Sequence, residues 1–153
     1  MGDTLLHENT IVLDIEASNY EEALDVLSKR LFETGYVKES YIEAVKVRER
    51  EYSTGLPAEG IDIAIPHTNI EHVNTACVAV GILNKPVKFK MMGTDDTYVN
   101  TEIMFMLALK EHHAQLGMLQ NLMALIQNSE LLKTVRQSKS PAAVLDLLKD
   151  IIK

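Results

Sequence analysis

The stretch GIDIAIPHT, Gly60 to Thr68, joins a short apolar run to a proline and then to a histidine. Ile61 to Ile65 has the alternation and β-branching of a buried strand. Gly60 marks its start and Pro66 its end. His67 therefore leaves a strand at its C-terminal end, the position where α/β folds place their sites. Pro66 fixes its own φ and stiffens the approach, so the imidazole is held rather than free to swing. A strand-end cap that happens to be histidine is the competing reading of these residues taken alone.

Outward from this segment the chain alternates between strand and helix patterns. TACVAVGIL (75–83) is a fully apolar strand, and VNTEIMFMLAL (99–109) a second, although its Met and Leu also suit a helix. NTIVLDI (9–15) is a short strand, and KPVKFK (85–90) an edge or hairpin segment. SNYEEALDVLSKRLFETG is a helix. Ser18 is its expected N-cap with Glu21 as capping-box partner, Leu24, Leu27 and Leu31 lie at helical spacing, and Gly35 stands just past its end. A second helix is expected from about 39 to 51, followed by the loop STGLPAEG. Three helices close the chain. The first runs from about 114 to 127 with Leu116, Leu119, Leu122, Met123 and Ile126 on one face. The second is short, around SELLKTVRQ, and the third has Ser140 as cap and Pro141 at its first position. This mixture predicts an α/β or α+β fold.

Composition narrows the function classes. A chain of 153 residues with 46% apolar and 24% charged residues suits one globular domain with a substantial core. A net charge of -7 argues against a nucleic-acid partner, which needs a basic face. The single cysteine, Cys77, fits a reducing compartment. Residues 1–18 carry no basic segment followed by an apolar one, and no stretch reaches the length of a membrane helix. A cytoplasmic protein without direct membrane insertion is expected.

No Walker loop, GxGxxG or GxSxG is present, and Cys77 lies inside an apolar strand. The remaining chemistry is histidine: His7, His67, His72, His112 and His113. Their spacings match no established zinc motif, so a metal is not expected. His7 and His72 read as surface residues. A neutral imidazole at His67 is a good nucleophile near pH 7 and can accept a phosphoryl group. In ESYIEAVKVREREYSTGL (39–56), Tyr41, Ala44, Val45 and Arg48 fall on one helix face, with Arg50 opposite Tyr41. Arg48 thus continues an apolar stripe and needs an anion or another partner; Arg50 reads as solvated. His112 and His113 stand between a strand end and a helix start, where free N–H groups favour an anion. Nucleophile, cation and donor are the parts that phosphoryl transfer requires.

The run RExxxSTGL, then GIDIAIPHT, then EHHAQL before a Leu-rich helix closely resembles the IIA domains of the bacterial phosphotransferase system, of the fructose–mannitol type. STGLPAEGIDIAIPHT is most similar to the galactitol-specific branch. The resemblance covers nearly the whole chain, 1–153. It implies an α/β fold with a mixed β-sheet flanked by helices on both sides, in a single compact domain without metal or cofactor. It further implies that His67 accepts a phosphoryl group from phospho-HPr and passes it to a cysteine of the cognate IIB protein. A sugar alcohol, galactitol, would then be phosphorylated as the IIC permease imports it. By the same resemblance Arg48 is the active-site arginine and His113 the second active-site histidine, with His112 one position away. Thr68 departs from the glycine that many relatives carry after the active histidine. A regulatory module that senses phosphorylation state, as in the nitrogen-regulatory branch, is the alternative.

Overall fold

A computed structural model describes residues 4–153. The elements run β1 (Leu6–Ile15), α1 (Tyr20–Glu33), α2 (Ser40–Glu51), β2 (Gly55–Leu56), β3 (Asp62–Ala64), a 3-10 turn (Ile70–His72), β4 (Cys77–Lys90), β5 (Tyr98–Ala108), α3 (His112–Leu125), α4 (Ser129–Arg136) and α5 (Pro141–Leu148). The five strands form one sheet in the order β1-β4-β5-β3-β2. β1 pairs parallel with β4 and β3 parallel with β5, while β4–β5 and β2–β3 are antiparallel. The sheet is therefore mixed, as the resemblance implies.

Alternation along each strand decides which layer a side chain meets. Val78, Val80 and Ile82 of β4, Ile103, Phe105 and Leu107 of β5, and Ile63 with Ile65 point to one face. There they pack on Met118, Leu122 and Leu125 of α3, Leu132 and Val135 of α4, and Val144 and Leu148 of α5. Cys77, Ala79 and Leu83 of β4, Met104, Met106 and Ala108 of β5, and Ala64 point the other way, onto Leu24, Leu27 and Leu31 of α1 and Tyr41 and Val45 of α2. Helices thus cover both faces. Strands buried on both sides read as continuous apolar runs, which is why TACVAVGIL lacks a polar alternation. Cys77 is fully buried in this second layer, and desolvation pushes its thiol up to about 12.

Several boundaries differ from expectation. The α1 cap is Asn19 rather than Ser18: Asn19 Oδ1 accepts from Glu22 N–H, and Glu22 Oε1 accepts from Ser18 N–H. The reciprocal capping pair exists, displaced by one residue. KPVKFK is the hairpin arm rather than a separate edge segment: it is the second half of β4, which continues past a register shift between Ile82 and Val87 and pairs antiparallel with the start of β5. The loop STGLPAEG contains β2, because Gly55 can lie flat against a neighbouring backbone. A Cβ there would sit 2.5 Å from Lys90 O and 2.7 Å from Val99 Cγ2. β5 is a strand throughout, with Met and Leu serving as core filler.

Candidate active site

His67 follows β3 by three residues and makes a parallel bridge with Leu107 of β5. Leu107 N–H donates to Pro66 O at 2.9 Å, so the segment after β3 stays pinned to the sheet. Behind it, Tyr41 Oη donates to Leu107 O at 2.6 Å from inside α2. Burial holds the Tyr41 phenol well above its ordinary range, so it remains a donor.

The His67 ring is half-buried, with Nδ1 2.8 Å from Ile65 O. A carbonyl only accepts, so Nδ1 carries the proton and, in the neutral ring, Nε2 carries the lone pair. Burial lowers the imidazole pKa, the bond to Ile65 O opposes this, and the Arg48 charge lowers it further. With an ordinary value near ~6.5 already below neutrality, the ring is mostly neutral at pH 7.

Arg48 lies in the last turn of α2, half-buried, with its guanidinium carbon 4.3 Å from the ring centroid of Tyr52. Among the described residues it makes no ion pair with a carboxylate. Its N–H groups thus have no anion and its charge faces the His67 region. The buried stripe of α2 is Tyr41, Val45 and Glu49 rather than Tyr41, Ala44, Val45 and Arg48. The core-facing arc is centred on Val45, which leaves Arg48 at its rim and puts Glu49 inside. Arg50 is exposed and pairs with Glu21 at 3.2 Å, as expected of a solvated residue.

The α3 helix begins at His112, earlier than the expected start near 114, with Glu111 as N-cap. His112 and His113 are its first two residues and both are exposed. The first helical bond is Gln115 N–H to Glu111 O, so the amides of His112, His113 and Ala114 precede any intrahelical partner. Gln115 Nε2 donates to Thr68 O at 3.3 Å, which draws this turn against the residue after His67. On an ideal helix His112 lies ~60° from Gln115 and His113 ~160° from it. Thr68 itself is buried.

Three participants were not singled out from sequence. Glu49 is only 4% exposed, and its carboxylate accepts from Thr54 N–H and Thr54 Oγ1–H, each at 2.7 Å. Gln115 is the third. The remaining histidines lie elsewhere: His7 sits in β1 with its ring stacked on Tyr36, and His72 Nδ1 meets Ser40 Oγ at 2.8 Å. Among the described residues no group of three or more His, Cys, Asp or Glu is placed to hold a metal.

A half-buried neutral imidazole with a free ring nitrogen, beside an arginine that lacks an anion, suits transfer of a phosphoryl group. The family comparison agrees. Residues 4–151 match the model of "Phosphoenolpyruvate-dependent sugar phosphotransferase system, EIIA 2". The chain belongs to the EIIA 2 family. It is an EIIA domain, a phosphotransferase component of that system. The fructose-specific EIIABC component of Bacillus subtilis (strain 168) is 28% identical over 148 residues, which is 94% of this EIIA 2 chain and 22% of that protein. The galactitol-specific EIIA component of Escherichia coli O6:H1 is 25% identical over 114 residues, 74% of this chain and 75% of that one. Among solved structures, the complex of enzyme IIAMTL and phosphorylated enzyme IIBMTL from Escherichia coli shares the fold, with a TM-score of 0.75 at 24% identity, covering 94% of this chain and 96% of that one. This EIIA 2 chain spans between 10% and 23% of the first curated relatives it matches. No helix of the described residues is long and apolar enough to cross a membrane.

Proposed function

We propose that Nε2 of His67 accepts the phosphoryl group from phospho-HPr and delivers it to a cysteine thiolate of a cognate IIB protein. The observation that carries this reading is the fixed tautomer: Nδ1–H is held on Ile65 O, which leaves the Nε2 lone pair for phosphorus. In the first step the Nε2–P bond forms as the donor's bond to phosphorus breaks. The ring keeps its Nδ1 proton and becomes positively charged, and Ile65 O accepts from that charged ring. The phosphorylated ring is cationic and departs from phosphorus as neutral imidazole, a good leaving group, so the second step, S–P bond formation with cleavage of Nε2–P, returns the ring to its Nδ1–H form. Arg48 supplies positive charge to the phosphoryl oxygens in both steps, and no carboxylate has to be displaced first.

The third contact is assigned to His113 on the resemblance alone; the first turn of α3, where free amides favour an anion, holds both histidines, and the phase set by Gln115 brings His112 nearer the Thr68 side. No metal or organic cofactor enters this chemistry. The IIB protein would serve a IIC permease that imports a sugar alcohol of the galactitol type, and transfer would occur in the cytoplasm. The galactitol-specific relative and the STGLPAEGIDIAIPHT segment support that substrate class.

The test is incubation with Enzyme I, HPr and labelled phosphoenolpyruvate, followed by addition of candidate IIB proteins. One acid-labile, base-stable phosphate on His67 is expected, absent from His67→Gln, with onward transfer to a galactitol IIB. Full labelling of His67→Gln would remove His67 as acceptor. Labelling without transfer to any IIB would favour the regulatory alternative.

A further inference from the structure

Glu49 carries a carboxylate that the transfer steps do not use, and a leucine of similar volume would occupy its place without desolvating a charge. Its contacts form a chain that ends on the acceptor. Oε2 accepts from Thr54 N–H and Oε1 from Thr54 Oγ1–H. Thr54 Oγ1 and Thr54 O in turn both accept from Ile65 N–H, each at 3.2 Å. Ile65 O then accepts from Nδ1–H of His67. Two peptide groups flank the Ile65 Cα: one is clamped by Thr54 and the other holds the imidazole proton.

We propose that Glu49 is a positioning residue for phosphoryl transfer: it clamps Thr54, Thr54 fixes Ile65, and Ile65 O keeps the proton of His67 on Nδ1. This rests on the reading of His67 as acceptor. The carboxylate gives the amide and the hydroxyl of Thr54 an accepting oxygen each; a glutamine has one accepting oxygen for both. Ionised Glu49 leaves the Thr54 Oγ1 lone pairs to Ile65 N–H. Protonated Glu49 must donate its own O–H, and Thr54 Oγ1 is the acceptor within reach, so it competes for those lone pairs. The clamp is therefore tightest when Glu49 is charged.

The groups around the carboxyl come from four elements. Tyr20 of α1, Arg50 of α2, Lys90 of β4 and Tyr98 of β5 line a small cavity of about 80 Å³ with it. Among the described residues none of them pairs with Glu49, and Arg50 is engaged by Glu21. Burial is thus the leading influence on Glu49, raising its pKa to about 7 against the two bonds from Thr54.

The experiment is nitrogen-resolved NMR of the His67 ring across pH in the full chain, beside phosphotransfer to IIB, for wild type, Glu49→Leu, Glu49→Gln and Thr54→Val. In wild type the neutral ring should be the Nδ1–H form. In Glu49→Leu and Thr54→Val the Nε2–H form should appear and transfer should fall by ~10-fold or more, as for a displaced reacting group. A variant that combines Glu49→Leu with Thr54→Val should be no slower than the slower single one, because both act through one chain of contacts. Glu49→Gln should lie between and lose the wild-type step in transfer rate near pH 7. Unchanged ring signals in Glu49→Leu and Thr54→Val would overturn the inference, whether or not transfer slows. If Glu49→Leu does not fold, Glu49→Gln and Thr54→Val decide on the same signals. Wild-type phosphate found on a residue other than His67 would defeat the acceptor reading instead, and the ring signals would still report on the clamp.

Discussion

At Arg48 the guanidinium lies against Tyr52 with no carboxylate to neutralise it. Planar, forked donors match phosphoryl oxygens in a way an ammonium cannot. Arg48→Lys should therefore slow transfer by ~10²–10³-fold, the usual loss for one oxyanion donor. Arg50→Lys should leave the rate near wild type, since that side chain pairs with Glu21 at the surface. Stopped-flow transfer to IIB reads both, and equal losses would place the two arginines in one role. The same assay separates the α3 residues: His113→Ala should slow transfer and His112→Ala should not, with the reverse result moving the role by one position. Gln115→Leu removes the amide that ties α3 to Thr68 and should slow transfer less than Arg48→Lys. How far such residues are legible depends on angle. Along VREREY, positions 48 and 49 both lie within about 60° of Val45, so periodicity alone admits either to the core. Charge is the same obstacle for both, and only the partner inside, Thr54, decides for Glu49.

Among the elements, β2 exists because Gly55 lets two backbones meet. Gly55→Ala should destabilise the chain by more than the ~1 kcal/mol of an ordinary substitution, because the added methyl strikes a carbonyl oxygen rather than a movable side chain. Thermal unfolding would show it, and a Tm equal to wild type would mean that β2 moves aside freely. α2 is fastened to β5 by the buried Tyr41 bond, so Tyr41→Phe should cost about 1–3 kcal/mol by leaving Leu107 O short of a donor. Strands were the more legible elements: GIDIAIPHT and TACVAVGIL carry their own punctuation. α3 was less so. Its apolar residues wrap most of the helix: of the expected face Leu122 is buried and Leu119 and Ile126 pack against the core, but Leu116 and Met123 are exposed, and Met118 and Leu125 are buried instead. A stripe that wide names the helix but not its rotation. The displaced cap at Asn19 has a similar cause, since Ser18 and Asn19 are both good caps.

For the whole molecule, Glu49 and His67 oppose one another as pH changes. Glu49 is raised from 4.5 to about 7 in the folded chain, so between those values the folded state holds the extra proton and stability declines as pH rises. The full effect is about 3 kcal/mol at ~1.4 kcal/mol per pH unit. His67 is lowered, so its share of stability is complete above the ordinary imidazole range and is lost as pH falls through the folded value. Denaturant unfolding from pH 5 to 8 should therefore show a decline toward neutrality that Glu49→Gln flattens; an unchanged profile in that variant would assign the decline to other groups. The two-layer construction has one more consequence. Cys77 is closed between the sheet and the α1–α2 layer, with its thiol pushed up to about 12. The folded chain therefore offers alkylating reagents almost no thiolate, although its sequence contains a cysteine. A cysteine introduced at exposed Leu116 would take a maleimide dye alone, and a fluorescent reporter could be mounted about one helical turn from His112 and His113 without first deleting the native sulfur.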